Sequence, residues 1–412
     1  MKRKELFAGF LVGVATTFMV VTILICLNLL QPNIQTNIGN LENNKSAQTS
    51  TTTTSAIIKK LNVLTEIINS KFYEDVDAEK MTEGLYKGLL KSLDDPYSRY
   101  YTKEEYKDMM ESSNGIYCGI GASVNQNIKT NIMTIVKPFE NGPAYKAGML
   151  PGVVLYKVDG KDITDMELSD VVALMKGEEG TKVTVTVVRD GEKNPIDFTM
   201  IRAKIETPTI EYKMLEDNIG YISVSAFDGV TAPQYRAALE ELEKQGMEGL
   251  VVDLRNNPGG RLETVCDMLD RMLPEGLIVY QEDKTGKRSD EVRSTAKEQF
   301  KKPLAVIVNG NSASASEVFA GAIQDYGIGT IVGTTSFGKG IVQSIIPLTD
   351  GTAVKVTISK YFTPNGRNIH GKGIEPDVKV DLPDEVKKKI TIEYKEDTQL
   401  QKAVEVVKDK MK

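Results

Sequence analysis

The stretch GTTSFGKG, residues 333–340, meets the phosphate-loop pattern G-x-x-x-x-G-K-[ST] at Gly333, Gly338 and Lys339 and misses it at Gly340, where a hydroxyl would reach magnesium. Such a lysine can serve two chemistries. A nucleotide site needs a helix directly after it, because the helix N-terminus supplies amides and dipole to the phosphate. The segment beyond Gly340, IVQSIIPLTDGTAVKVTISKYF, instead alternates β-branched residues and turns at Pro347 and Gly351, which predicts a hairpin. A hydrolase offers the other use: a desolvated lysine loses its proton near neutral pH and acts as a general base toward a nucleophile. VIVNGNSASASEVFAGAIQD supplies Ser312, Ser314 and Ser316 at the end of an apolar strand and the start of a helix. There the Ala315 amide and the helix dipole would favour an oxyanion. Any one of the three serines is equally an ordinary N-cap, and spacing does not choose among them. The one histidine, His370, keeps a Ser-His-Asp triad formally open, but it lies beyond the hairpin and reads as a surface-loop residue.

Elements able to position these groups are legible on both sides. From Thr207 the pattern runs strand, helix, strand, helix: GYISVSAF, PQYRAALEELEKQG, GLVVDLR, ETVCDMLDRML, GLIVYQ, PLAVIVN, SEVFAGAIQDYG and GTIVG. This predicts an α/β layer fold with function at the polar, glycine-rich strand ends. Upstream, residues 117–203 mix short β-rich runs with helical pieces and glycine turns, the signature of a small α/β module. Before that, Ile57, Leu61, Leu64 and Ile68, then Met81, Leu85 and Leu89, recur at helical spacing. Thr102 with Glu105 forms a capping box, and Pro96 breaks LDDPYSRYY as a turn.

Two resemblances attach to these residues. YCGIGASV and GPAYKAGMLPGVVLYKVDG resemble the carboxylate-binding loop of a PDZ domain and the segment after it, although Val153 stands where an acid is usual. Glycines at 119 and 121 would let successive amides converge on an anion, so Gly119, Ile120 and Gly121 are the expected peptide-binding residues; the plain alternative is a tight turn. LDDPYS, DLRNNPGG, SASASE, FGKGIVQ and YFTPNGRNIHGKGIEPD, in order over roughly residues 57–380, resemble the C-terminal processing peptidases, the tail-specific serine proteases. The resemblance implies a crotonase/ClpP-like α/β core with an inserted PDZ domain. It also implies Ser314 as nucleophile, Lys339 as base, Gln343 orienting that lysine, and the backbone of Gly259, Gly260 and Ala315 as oxyanion hole. Arg261, after NNPGG, replaces a usual apolar residue, and His370 a usual glutamine. Rival expectations are a membrane-tethered PDZ scaffold with a dead protease domain and, on the phosphate-loop match, an ATPase.

Residues 6–30 are uncharged and long enough to cross a hydrocarbon core as a helix. Lys2, Arg3 and Lys4 would stay cytoplasmic, which makes the expected localisation a single-pass cell-membrane protein with its catalytic part extracytoplasmic. The expected organisation is stub and anchor (1–30), flexible stalk (31–55), helical region (56–113), PDZ domain (114–204), protease core (205–382) and charged helical tail (383–412). Leu400, Val404 and Val407 in that tail sit at helical spacing, read as a solvated face that with the N-terminal helices could build a homodimer. A net charge of −6 without basic stripes argues against nucleic acid, and the scattered Cys26, Cys118 and Cys266 form neither a disulfide framework nor a zinc spacing. No metal or cofactor is expected. Expected partners are protein or peptide substrates with free apolar C-termini, in an envelope or sporulation-signalling role.

Overall fold

The computed structural model describes residues 51–412 except 128, 390 and 391. The expected anchor, and the stalk up to residue 50, lie outside the described residues; among those described, no helix is long and apolar enough to cross a membrane. The chain divides into two units, up to Met81 and from Thr82 to Lys412. In the first, helix α1 (Thr51–Lys71) begins inside the stretch read as stalk, and its Ile57, Leu64 and Ile68 are exposed. Helix α2 (Ala78–Lys91) runs across the boundary.

The second unit opens with the LDDPYS turn, strand β1 (Arg99–Tyr101) and helix α3 (Lys103–Asn114). The capping box forms as expected: Glu105 N–H donates to Thr102 Oγ1 at 3.2 Å, and Thr102 N–H donates to Glu105 Oε2 at 2.9 Å. An antiparallel ribbon of β2 (Ile116–Gly119) and β9 (Ala203–Glu206) then leads into and out of the small module. Its sheet comprises β3 (Ala122–Gln126), β4 (Met133–Pro138), β5 (Val154–Val158), β6 (Lys161–Asp162), β7 (Lys182–Val188) and β8 (Ile196–Ile201), in the order β3-β4-β5-β7-β8 with β6 beside β5. Helix α4 (Leu168–Met175) packs on it. Val183, Val185 and Val187 bury alternate positions of β7, the period of two expected of a strand with one core face. Val153, the departure from the usual acid, is buried in the same core.

The larger layer contains β10 (Ile210–Met214), β11 (Ile219–Val224), helix α5 (Thr231–Lys244), β12 (Gly249–Asp253), helix α6 (Leu262–Asp270), β13 (Gly276–Asp283), β14 (Arg288–Ser294) and β15 (Leu304–Val308). It continues through helix α7 (Ala315–Asp325), β16 (Thr330–Gly333), β17 (Ile341–Pro347), β18 (Ala353–Phe362), β19 (Val378–Lys379) and helix α8 (Thr398–Met411). Strands β11, β12, β15, β16 and β19 are parallel, with β10 antiparallel at one edge. Strand β13, expected within that alternation, leaves it and pairs with β14 and β18 in a second, antiparallel sheet that also holds β1 and the hairpin β17–β18. The hairpin after Lys339 is therefore present where a phosphate loop would need a helix.

Both faces of the parallel sheet are covered, so its strands read as continuous apolar runs. Leu250 and Val252 of β12, with Val306 and Val308 of β15, face α5, α6 and α7. The alternate residues Val251, Ala305 and Ile307 face Leu400, Ala403, Val404 and Val407 of α8. This corrects the reading of the tail as a solvated or dimerising face: its apolar stripe is spent on the chain's own sheet. At about 1.5–3 kcal/mol for each large side chain fully buried, that contact makes α8 integral to the core.

Candidate active site

Three loops meet at the C-terminal ends of adjacent parallel strands: residues 254–261 after β12, 309–314 after β15 and 334–340 after β16. Open α/β sheets place ligand sites at such ends. The loops are tied to one another. Asn256 N–H donates to Asn309 Oδ1, and Asn309 Nδ2 donates to Asn256 Oδ1, each at 3.0 Å. Fully buried Asn257 accepts Ala313 N–H at its carbonyl (3.0 Å), and its own side-chain amide donates to Val224 O (2.9 Å). Phe337 N–H donates to Ser312 O at 3.0 Å. From below, Arg255 pairs with Asp253 and forks onto Asp397, the residue that caps α8, so the C-terminal helix also braces the first loop.

These ties separate the three serines that spacing left equivalent. Ser312 Oγ donates to Leu254 O at 2.7 Å, and Ser316 Oγ donates to Asn257 O at 2.9 Å; both residues are fully buried. Ser314 is the N-cap of α7, with its backbone N–H on the Glu317 carboxylate, and its hydroxyl donates to no backbone carbonyl among the described residues. It sits at the strand-to-helix turn with φ 55° and ψ −112°, a strained conformation for a residue with a side chain, and its hydroxyl lies beside the Tyr361 phenol. Burial pushes that phenol up to about 12, with the nearby Ser314 hydroxyl acting in the opposite sense.

Glu317 is what brings Ser314 and Lys339 together. Its fully buried carboxylate accepts Ser314 N–H and Lys339 N–H on one oxygen, both at 2.8 Å. The other oxygen accepts Gly338 N–H at 2.7 Å and Ser336 Oγ–H at 2.6 Å. The backbone nitrogens of Ser314 and Lys339 are thus at most twice one hydrogen-bond length apart, although they are 25 residues apart in the chain. Gly340 permits the close approach of the third loop, since a Cβ there would lie 2.4 Å from His370 N. The His370 side chain itself is exposed.

The Lys339 ammonium lies 4.7 Å from the centre of the Tyr97 ring and is half-buried. Burial first, and the Lys355 ammonium second, hold it below the ordinary lysine value; Asp95 and Glu317 pull the other way. Tyr97 and Asp95 come from the LDDPYS turn, which docks on the hairpin. Asp95 accepts Ser98 Oγ–H at 2.5 Å and Thr357 Oγ1–H at 2.6 Å. Burial opposes its ionisation, but the bonds from Ser98, Thr357 and the Tyr97 amide hold its pKa below the usual carboxylate range. Gln343 donates weakly to Thr357 Oγ1 (3.4 Å) and Ile341 O (3.5 Å), so it borders this network and is not bonded to Lys339. Nor does a hydrogen bond join Lys339 Nζ to Ser314 Oγ in this conformation; the lysine rests on Tyr97.

Of the three residues expected to bind an oxyanion, Ala315 is the first residue of α7 and Gly260 is exposed, and neither amide has a hydrogen-bond partner among the described residues. Gly259 donates its N–H to Asn257 Oδ1 at 2.8 Å. Its contribution is close approach: with φ 102°, a Cβ there would fall 2.9 Å from Ser314 Cβ and 3.0 Å from Ala315 N. Glu317, Asn257, Asp95, Tyr97 and Tyr361 were not singled out from the sequence. The E of SASASE and the LDDPYS turn carried the signal without a role.

In the small module, β3 pairs only with β4, which leaves its other edge open beside α4. Ile120, Ala122, Val124, Val172 and Met175 line the groove between them, about 290 Å³. At its end the amides of Ile120 and Gly121 have no partner among the described residues, while Gly119 belongs to the β2–β9 ladder. An edge strand ending in two free amides suits an extended peptide with a terminal carboxylate.

Comparison with known proteins gives the family of the chain. Residues 218–380 match the model of peptidase family S41, residues 134–189 that of a PDZ domain, and residues 10–105 that of the N-terminal domain of the activating protease CtpB. Carboxy-terminal processing protease CtpA of Bacillus subtilis is 39% identical over 342 residues, 82% of this chain and 72% of the relative. Carboxy-terminal processing protease CtpB of the same organism is 38% identical over 322 residues, 77% of this chain and 67% of the relative. A solved structure assigned to the S41 proteases, from Bacteroides fragilis, shares the fold with a TM-score of 0.51 at 14% identity, over 78% of this chain and 90% of that one.

Proposed function

Because the chain belongs to the carboxy-terminal processing proteases of peptidase family S41, and is a serine-type peptidase with a PDZ domain, we propose that Ser314 and Lys339 form its catalytic dyad and that the PDZ groove receives the substrate's C-terminal tail. The observation that carries the dyad is the shared Glu317 oxygen, which holds both backbones while the hydroxyls of Ser312 and Ser316 are committed elsewhere. In the proposed reaction Lys339, kept short of its usual basicity by burial, turns from Tyr97 and takes the Ser314 proton. Ser314 Oγ bonds to the scissile carbonyl carbon, and the Gly260 and Ala315 amides receive the oxyanion. The C–N bond breaks as Lys339 returns the proton to the leaving amine, and water then cleaves the ester. Gln343 and Thr357 border the lysine and restrict its path.

An apolar tail pairs with the open edge of β3, its carboxylate at Ile120 and Gly121, with Gly119 setting the turn. The apolar run at 6–30 anchors the chain in the membrane with the catalytic unit outside the cytoplasm. The exposed apolar residues of α1 are the surface for homodimerisation. An envelope or sporulation-signalling protein is the substrate class this placement favours. The test is cleavage by the full chain in detergent of a loosely folded protein with an apolar tail. Ser314→Ala and Lys339→Ala should each abolish cutting, and amidating the substrate's C-terminus should weaken it. Cutting that survives Ser314→Ala would refute the nucleophile.

A further inference from the structure

A second cavity, about 740 Å³, lies outside the groove and the dyad, between α3, the β2–β9 ribbon and the end of the NNPGG turn. Its rim carries Lys103 and Lys107 of α3, Lys204 of β9, and Arg261; Tyr106 and Ile116 contribute to its apolar lining. Glu111, the carboxylate on its wall, is already paired with Lys176 at 3.1 Å. Lys107 and Lys204 have no anionic partner within 4 Å among the described residues, and Arg261 spends one nitrogen on Asn114 Oδ1 at 2.8 Å and has Glu263 3.8 Å from Nε. Lys103 has exposed Asp350 nearby and Arg261 has Glu263, so in a chain of net charge −6 the unpartnered Lys107 and Lys204 are what leave this wall locally positive.

The position of this cavity sets what it would meet. Glu111 borders both the cavity and the PDZ groove, and Arg261 directly follows the Gly259–Gly260 turn that touches Ser314. With the tail in the groove and the scissile bond at Ser314, as proposed above, Glu111 and Arg261 mark the two ends of a wall that the intervening polypeptide would follow. The cations come from three separate elements around an apolar floor, which suits several carboxylates spaced along a peptide better than a single phosphate. We infer that this cavity binds acidic side chains of the substrate, in the stretch between its PDZ-docked tail and the scissile bond, and so selects substrates that are acidic there. The inference rests on the tail-to-serine path proposed above.

The experiment uses two unfolded substrates with the same apolar tail, differing only in Asp and Glu against Asn and Gln in the residues before it. With the full chain, kcat/KM at low salt should be about ten-fold higher for the acidic one, from several exposed charge contacts each worth a few-fold at most. The Lys107→Gln/Lys204→Gln double variant should bring the two within about two-fold, and high salt should do the same. Binding to the Ser314→Ala full chain, followed by fluorescence anisotropy, should show the same preference without any cleavage. Equal kcat/KM and equal binding of the two substrates by the unsubstituted chain would overturn the inference, as would a preference untouched by the double variant. If neither substrate is cut, the dyad reading is what fails, and the anisotropy arm still decides the acidic preference.

Discussion

Replacing Glu317 tests the geometry most sharply among single substitutions, because one carboxylate serves four buried donors in two loops. Glu317→Gln preserves shape but puts an NH2 where an oxygen was, leaving two of the four donors facing another donor. At about 1–3 kcal/mol for each stranded buried donor, the cost is about 2–6 kcal/mol. That is a large share of the roughly 5–15 kcal/mol that holds a domain folded. Part of it is relieved if the loops move apart, and that movement is what catalysis would register: a misplacement of about 1 Å in a reacting group costs on the order of 100-fold. The expected result is a fall in kcat of about 100-fold with KM little changed, since the PDZ groove is untouched, together with a lower urea midpoint. The assay is steady-state cleavage of a tail-bearing substrate alongside urea unfolding of the same preparation. A Glu317→Gln chain with kcat within two-fold and an unmoved midpoint would refute the reasoning.

Other outcomes rest on the same contacts. In the proposed dyad Lys339 works as base in its neutral form, and it sits below the ordinary lysine range, so kcat/KM should rise as pH increases through its depressed pKa; Lys355→Met removes the second cause of that depression and should move the rise to higher pH in a pH-rate profile. Burial pushes Asp228 up to about 6, so its ionisation works against the folded state: that penalty is absent below the unfolded value near 3.8 and grows as pH rises through about 6. Asp228→Asn should therefore gain stability relative to the unsubstituted chain between pH 4 and pH 7, by roughly 1 kcal/mol after discounting its partial exposure, as read from urea unfolding at both pH values. Gly340→Ala would drive a Cβ to 2.4 Å from the His370 backbone, and should lower kcat by more than ten-fold as the Lys339 loop shifts, measured by the cleavage assay.

Local rules carried the sequence reading where local physics decides. The Thr102–Glu105 cap, the hairpin after Lys339 and the α/β alternation from Thr207 all depend on neighbours within a few residues, and all are present. Tertiary contacts decided the rest. Three serines in SASAS are alike in sequence, and only the carbonyls of Leu254 and Asn257, more than 50 residues upstream, distinguish them. Glu317 reads as an ordinary helix-start acid until the Lys339 loop folds onto it. Tyr97 and Asp95 lie over 200 residues before the lysine they flank. The stripe on α8 has the period of an amphipathic helix, and periodicity cannot say whether such a stripe meets its own sheet or another chain. Gly259 shows a finer limit: the motif identified the turn, but which amide of that turn stays free depends on the Asn257 side chain.

The central claim, that Ser314 is the activated serine and Lys339 the group that activates it, is tested most directly by phosphonylating the full chain with a peptidyl phosphonate ester and mapping the adduct by mass spectrometry. The account predicts modification of Ser314 with Ser312 and Ser316 unlabelled, and its loss in Lys339→Ala. An adduct on Ser312 or Ser316, or labelling of Ser314 that is undiminished without the lysine, would contradict it.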